Sequence, residues 1–286
     1  LLFLYICIRM YLKNVLSFAE VVLLLLCYYM NEFFSLARGY AMAAALIIVG
    51  IYYWIYWERN RQDAHLIKSA LFFSLAEIAN TITLLVVAPF YIFMIFTVLK
   101  EKRIWLILRR HFLKILFLLS INIFMVRYHF YVSQVDTSLY CNKEGGILEN
   151  LSYMIQEYFS MLIPYKVKSV MGIYVVLFFL CALALIKERG PMKKLQFTSI
   201  WGLYIVITVC CVALTGKGFP MGRTIIPGYP LLVLSFGELA KNVNAFYIKT
   251  EKVDTMVQSI VNLCVLLSLL LSFIRQTDFL FYKAFP

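Results

Sequence analysis

Long apolar runs separated by short cation-bearing segments constrain this chain more than any other feature. Residues 15–30 and 41–57 are each long enough to cross a hydrocarbon core of about 30 Å at about 1.5 Å per residue. Similar runs occupy residues 112–126, 171–186, 197–214, 225–240 and 257–274. The run 69–99 is too long for one crossing and has basic residues at both ends. Arg59, Arg61 and Lys68 precede it in a charged loop expected at 58–68, and Lys100, Lys102 and Arg103 follow it, so both flanks belong on one side. It reads as a hairpin of two short helices turning between Asn80 and Pro89. The opening run, 1–8, is too short to span and has neither a charged region before it nor a small-residue cleavage site. It reads as the tail of an incomplete first segment, and we expect the sequence to be part of a longer protein. The expected fold is an all-α, polytopic transmembrane helix bundle of about ten segments, a single transmembrane domain over residues 1–286.

Composition agrees. Hydrophobic residues make up 63% and charged residues 15%, where globular proteins have about 45–50% and about 25%. No stretch between apolar runs is long enough to bury a core of its own, so no soluble domain is expected. Loops assigned to the cytoplasm hold two thirds of the 27 Lys and Arg, which fixes the orientation and explains the net charge of +12. No basic run is interleaved with groove-reading residues, so nucleic acid is not an expected partner.

The outer face then receives the loops 31–40, 127–170 and 215–224. In the longest, apolar residues at 147, 148, 151, 154, 155, 158, 159 and 162 oppose Glu149, Asn150, Gln156 and Glu157. That period is helical, Pro164 stops it, and the amphipathic helix is expected to lie along the membrane surface. Cys7, Cys27, Cys181, Cys210, Cys211 and Cys264 fall in apolar runs and read as small buried hydrophobes, with Cys141 alone in a loop. Adjacent Cys210 and Cys211 do not form a Cys-x-x-Cys pair, and no His-Cys cluster has metal spacing. Gly-x-Ser-x-Gly and Gly-x-x-x-x-Gly-Lys-Ser/Thr are both absent. None of His65, His111 and His129 begins the His-x-x-x-x-Asp pattern of a membrane acyltransferase.

Residues 31–40 read Asn-Glu-Phe-Phe-Ser-Leu-Ala-Arg-Gly-Tyr, a brief polar turn between two spanning runs. Glu32, Arg38 and Tyr40 at such a mouth serve either as interfacial anchors or as ligand groups. Lys217 and Arg223 sit among glycines in Thr-Gly-Lys-Gly-Phe-Pro-Met-Gly-Arg and contact either ordinary headgroups or a specific lipid phosphate. Glu20 and Glu77 lie within apolar runs as helix-packing groups or as proton or ion sites, and Glu238 reads as reaching an interface at a helix end.

The segment from Asn31 through Phe34, Ser35, Arg38 and Tyr40, followed by a helix rich in small residues, resembles a recurrent segment of the GT-C superfamily. These are bacterial integral-membrane glycosyltransferases that use polyprenyl-phosphate sugars. Glu32 stands where many members have Pro, and Gly-Arg-Thr-Ile-Ile-Pro-Gly-Tyr-Pro at 222–230 is a second local match. The resemblance implies sugar transfer from a polyprenyl-phosphate donor to a glycan, lipid or protein acceptor at the outer face of the bacterial cytoplasmic membrane. It implies a main catalytic acid in a loop before Leu1, and a second acid, matched by Glu32, that helps position a divalent metal or the acceptor. Arg38 and Tyr40 match residues lining the same cavity, and Arg223 matches an Arg that holds the donor phosphate, with Lys217 beside it. A transporter, flippase or polymerase of lipid-linked glycans, and a non-catalytic membrane protein, are the alternative expectations.

Overall fold

The computed structural model describes residues 2–13, 16–25, 39–135, 146–162, 167–187, 195–215, 219–220 and 222–247. These are almost wholly helical. In chain order they form α1 (Leu2–Leu12), α2 (Phe18–Leu25), α3 (Gly39–Asn60), α4 (Asp63–Ala79), α5 (Thr83–Lys100), α6 (Ile104–Val135), α7 (Ile147–Leu162), α8 (Val167–Lys187) and α9 (Gln196–Thr215). A 3-10 turn (Gly222–Gly228) then leads into α10 (Tyr229–Tyr247).

The central helix is α3, which is buried along most of its length. Small residues let α4 approach it closely. Ser69 Oγ donates to the Gly50 carbonyl at 2.7 Å, and a Cβ at Gly50 would lie 2.5 Å from the Phe73 ring. Close backbone approach through small residues is the usual packing device in hydrocarbon, where apolar burial itself drives nothing. Behind this seam Phe73 packs on Phe90 and Phe90 on Trp54, with ring centroids 4.8 and 5.2 Å apart. Gly50→Leu sets a helix-propensity gain of about 1 kcal/mol against overpacking of about 1–3 kcal/mol. The expected result is a net loss, read as a lower melting temperature in detergent; an unchanged or higher value would mean the seam is slack.

Large apolar side chains stay exposed on the outer helices, among them Ile95 and Phe96 on α5, Phe117 and Phe124 on α6, and Phe179 on α8. Contiguous apolar surface of this kind needs a covering, and hydrocarbon supplies one. Among the described residues, Gly39–Asn60, Thr83–Lys100 and Gln196–Leu214 are long and apolar enough to cross a membrane. The bent pair Ile147–Leu162 and Val167–Leu183 adds a fourth if it counts as one span.

One end of the bundle gathers the charged helix termini. Arg59 donates to the Lys13 carbonyl at 3.2 Å, tying α3 to the end of α1. Arg103 reaches Asp63 at 2.9 Å and the Arg61 carbonyl at 3.2 Å, while Arg61 pairs with Glu101 at 2.7 Å. The short α3–α4 and α5–α6 connections are thereby clamped together. Each contains a non-glycine residue with left-handed backbone, Arg61 (φ 55°) and Lys102 (φ 56°). Further round, Gln196 donates to Glu58 at 2.9 Å, and Lys241 meets Glu20 at 2.6 Å.

Several expectations change. About ten segments is more than the described residues provide, since three of their helices are long and apolar enough to cross, or four with the bent pair. The charged stretch 58–68 is not a loop, because α3 runs on to Asn60 and α4 starts at Asp63. The run 69–99 does form two helices with a turn between Asn80 and Pro89, as expected; the turn is at Asn80–Ile82, where Asn80 Oδ1 accepts from the Ile82 N–H at 3.1 Å, and Pro89 lies buried inside α5. Helix α6 starts at Ile104 rather than near Phe112 and bends at His111, whose φ is −125°. Helix α7 forms at Ile147–Leu162, but Met154, Tyr158 and Phe159 on its apolar face are buried by protein rather than left for the membrane surface. Cys7 and Cys181 are buried as expected, whereas Cys210 is exposed. The run 257–274, Cys27, Cys141 and Cys264 lie outside the described residues.

Candidate functional site

Two acids, the half-buried Glu238 and the buried Glu20, anchor helices at the charged end. Glu238 is not reaching for an interface. Its carboxylate accepts the Gln196 and Thr198 N–H groups at 2.7 and 2.8 Å and the Thr198 hydroxyl at 2.9 Å. It therefore caps the start of α9 from a neighbouring helix, answering donors that no residue of α9 itself can satisfy. The cap continues through Ser235 Oγ, which lies 3.3 Å from Thr198 Oγ1 and 2.7 Å from the Tyr174 hydroxyl. Glu20 accepts from Ser17 N–H and Oγ at 2.5 and 2.7 Å besides its ion pair with Lys241, and packs against Gly237. These fully engaged groups have structural work and leave little capacity for a ligand.

Depth along the bundle follows from helix rise. Glu58 and Glu238 meet through Gln196 and so mark one level. At about 1.5 Å per residue, the Gly39 end of α3 lies about 28 Å from that level, whereas Tyr229, at the start of α10, lies only about 14 Å from it. The 3-10 turn Gly222–Gly228 is therefore sunk into the bundle instead of standing at its rim. It packs against α3 and α5, and Thr224, Ile225 and Ile226 are buried. Tyr229 fixes it from one side, donating to the Leu23 carbonyl at 2.8 Å. From the other side Tyr158 of α7 packs on Gly228 and hydrogen-bonds Tyr204 of α9 at 2.8 Å. Pro227 and Gly228 explain the break locally, since Pro lacks the N–H that a continuous helix would use. Non-helical backbone at membrane depth persists only where protein buries it or where it lines a cavity.

Toward the Gly39 end lies a third acid of another kind. Glu77 is fully buried, and neither of its carboxyl oxygens has a hydrogen-bond partner among the described residues. Thr83 Oγ1, at the start of α5, is likewise buried without a partner among the described residues. One turn before Glu77, Ser74 Oγ is 3.0 Å from the Tyr91 hydroxyl and accepts from Asn122 Nδ2 at 2.8 Å. His129 of α6 hydrogen-bonds the Thr81 backbone. Gly39 touches this corner, because a Cβ there would lie 2.5 Å from the Ala79 carbonyl oxygen. Only glycine admits so close an approach to a backbone oxygen.

Of the residues the sequence singled out, Tyr40 is half-buried in the first turn of α3, packed against the core. Arg223 has its backbone in the sunken turn. Glu32, Arg38 and Lys217 lie outside the described residues. The first turn of α3, the α4–α5 turn with Glu77, and the 3-10 turn all fall on the Gly39 side of the bundle. Sequence reasoning missed the Tyr158–Tyr204 pair and the depth of the turn. The Pro227-Gly228-Tyr229-Pro230 string was the available signal for a break between helices. Among the described residues, no group of three or more His, Cys, Asp or Glu comes together as a metal site. The chain matches no protein-family model, no curated protein and no solved structure.

Proposed function

We propose that this chain is a membrane glycosyltransferase core of the GT-C type, moving a sugar from a polyprenyl-phosphate donor to a glycan, lipid or protein acceptor. The observation that carries the reading is the sunken 3-10 turn bearing Arg223, which is also the second place where the sequence resembles that superfamily. Broken helices near the middle of a bundle are where membrane proteins bind polar substrate groups. In this reading Arg223, Arg38 and Lys217 stabilise the departing lipid phosphate, Tyr40 lines the cavity, and Glu32 helps position the acceptor hydroxyl or a metal. The reaction would take place at the outer face of the bacterial cytoplasmic membrane, with the charged end inward.

Arg223→Lys separates a phosphate clamp from a headgroup anchor, because Lys keeps the charge and loses the two-pronged hydrogen bonding. A clamp that loses such contacts weakens by about 1.5–3 kcal/mol, or about 10- to 100-fold in transfer rate. Arg38→Lys and Glu32→Gln test the partners in the same way. The measurement is sugar transfer by the full-length protein in membranes at matched expression, and full activity in all three variants would overturn the site.

Glu77 favours a second reading, a proton- or cation-coupled transporter of lipid-linked glycans. A buried carboxyl without a partner inside a helix bundle is the usual mark of an ion pathway. Proteoliposome uptake that is abolished by Glu77→Gln, with no transfer activity detected, would select this reading instead.

A further inference from the structure

Between α4, α5 and α6 lies a cavity of about 390 Å3 that the sunken turn and Glu77 do not use. Its walls are almost entirely apolar, with Leu66 and Ala70 from α4, Met94 and Val98 from α5, and Ile107 and Leu118 from α6. On α6 the lining runs from Ile104 to Asn122, about 27 Å of helix at 1.5 Å per residue. The space is therefore a slot along the helices and not a round pocket. It exists because α6 meets its neighbours through a single stripe, while Phe117, Ile123 and Phe124 face outward. An apolar slot left empty forfeits dispersion contacts along its whole lining.

The two ends of the slot differ. At the Asn122 end the donors are engaged locally, Tyr91 with Ser74 and the Ala70 carbonyl, and Asn122 Nδ2 with Ser74 and the Leu118 carbonyl, and no cation stands among them, although Asn122 Oδ1 has no partner among the described residues. At the Ile104 end positive charge is in excess. Asp63 and Glu101 are already paired with Arg103 and Arg61, and Arg110 stands 3.7 Å from Asp63. Lys100, Lys102 and Arg109 are exposed near this end. His111 stands at the bend of α6, between the lining residues Leu108 and Ile115 in sequence, and its Nε2 is buried with no hydrogen-bond partner among the described residues. A long apolar slot that ends beside an excess of cations has the polarity of an anionic lipid.

We propose that the slot holds one acyl chain of an anionic phospholipid, with the phosphate group seated against the basic start of α6. One leaflet of a hydrocarbon core is about 15 Å deep, so such a chain fits within the slot while its headgroup stays at the charged end of the bundle. The assignment does not depend on sugar transfer. Each Lys or Arg near an anionic membrane surface contributes about 1 kcal/mol, so the cations rather than the slot select the headgroup.

The test uses the full chain in lipid nanodiscs with a phosphatidylglycerol carrying a photoactivatable group on its acyl chain. Peptide mapping is expected to show crosslinks on 91–98 and 104–122 at least about fivefold above those on the outward face of α8, and above those from a matched phosphatidylcholine. Leu119→Trp, which fills the slot from an exposed position, removes the excess at 91–98. Arg109→Glu with Lys102→Glu brings phosphatidylglycerol down to the phosphatidylcholine level and leaves the latter unchanged. Equal labelling by the two lipids, labelling no higher than on α8, or labelling indifferent to Leu119→Trp would each overturn the proposal. So would displacement of the label by a polyprenyl phosphate but not by unlabelled phosphatidylglycerol.

Discussion

Arg103→Ala is expected to destabilise the bundle by about 3 kcal/mol, near the low end of what breaking a buried ion pair costs. The reason is asymmetric burial. The Asp63 side chain is 2% exposed and that of Arg103 is 27% exposed, so removing the arginine strands a carboxylate that water cannot reach. Arg110 softens the loss, but at 3.7 Å and 64% exposed it is a distant and screened replacement. The same arginine holds the Arg61 carbonyl, so its removal also frees the α3–α4 connection from the α5–α6 connection. Asp63→Asn keeps the shape and leaves Arg103 able to donate to Arg61, so it should cost about 1–2 kcal/mol. The double variant should be less destabilised than the sum of the two, since the stranded charge is gone. Thermal and denaturant unfolding in detergent measures all three. A loss below about 0.5 kcal/mol for Arg103→Ala would show that the clamp is an exposed ion pair of little weight.

Helix existence was the legible part of this fold, because apolar runs bounded by charge leave few alternatives. Residues 197–214 were read as a span, and α9 covers Gln196–Thr215. The helical period around Tyr158 likewise located α7. What a run of residues does not encode is its partner. Asp63, His65 and Lys68 looked like a loop because charges usually mark one. Yet Asp63 stands in the first turn of a helix, where an acid is favourable, and its cation comes from 40 residues on. Glu238 looked like a helix-end residue seeking water, and only the packing of α10 on α9 turns it into a cap. The candidate site was legible as a list of residue types and not as a place. Nothing in Gly222 to Gly228 announces that the turn sits deep in the bundle, since depth depends on the lengths of three other helices.

Glu77→Leu is expected to raise the stability of the bundle by about 1–3 kcal/mol, the cost of a buried polar group that makes no hydrogen bond. Both carboxyl oxygens lack partners among the described residues, and the side chain is fully buried. Leucine is close in volume and brings no polar atom, so apolar packing is gained and no cavity opens. Glu77→Gln should recover little of this, because its amide would be as unanswered as the carboxyl. That contrast sets Glu77 apart from Glu20 and Glu238, whose replacement by Leu should destabilise, since Lys241, Ser17 and the start of α9 would lose their acceptor. The measurement is the midpoint of thermal unfolding in detergent for the three Leu variants side by side. A lower midpoint for Glu77→Leu would sink the argument, for it would mean the carboxyl is bonded to something the protein holds in place. A raised midpoint together with lost transfer or transport would assign Glu77 to function, because a group that weakens the fold persists only where the activity needs it.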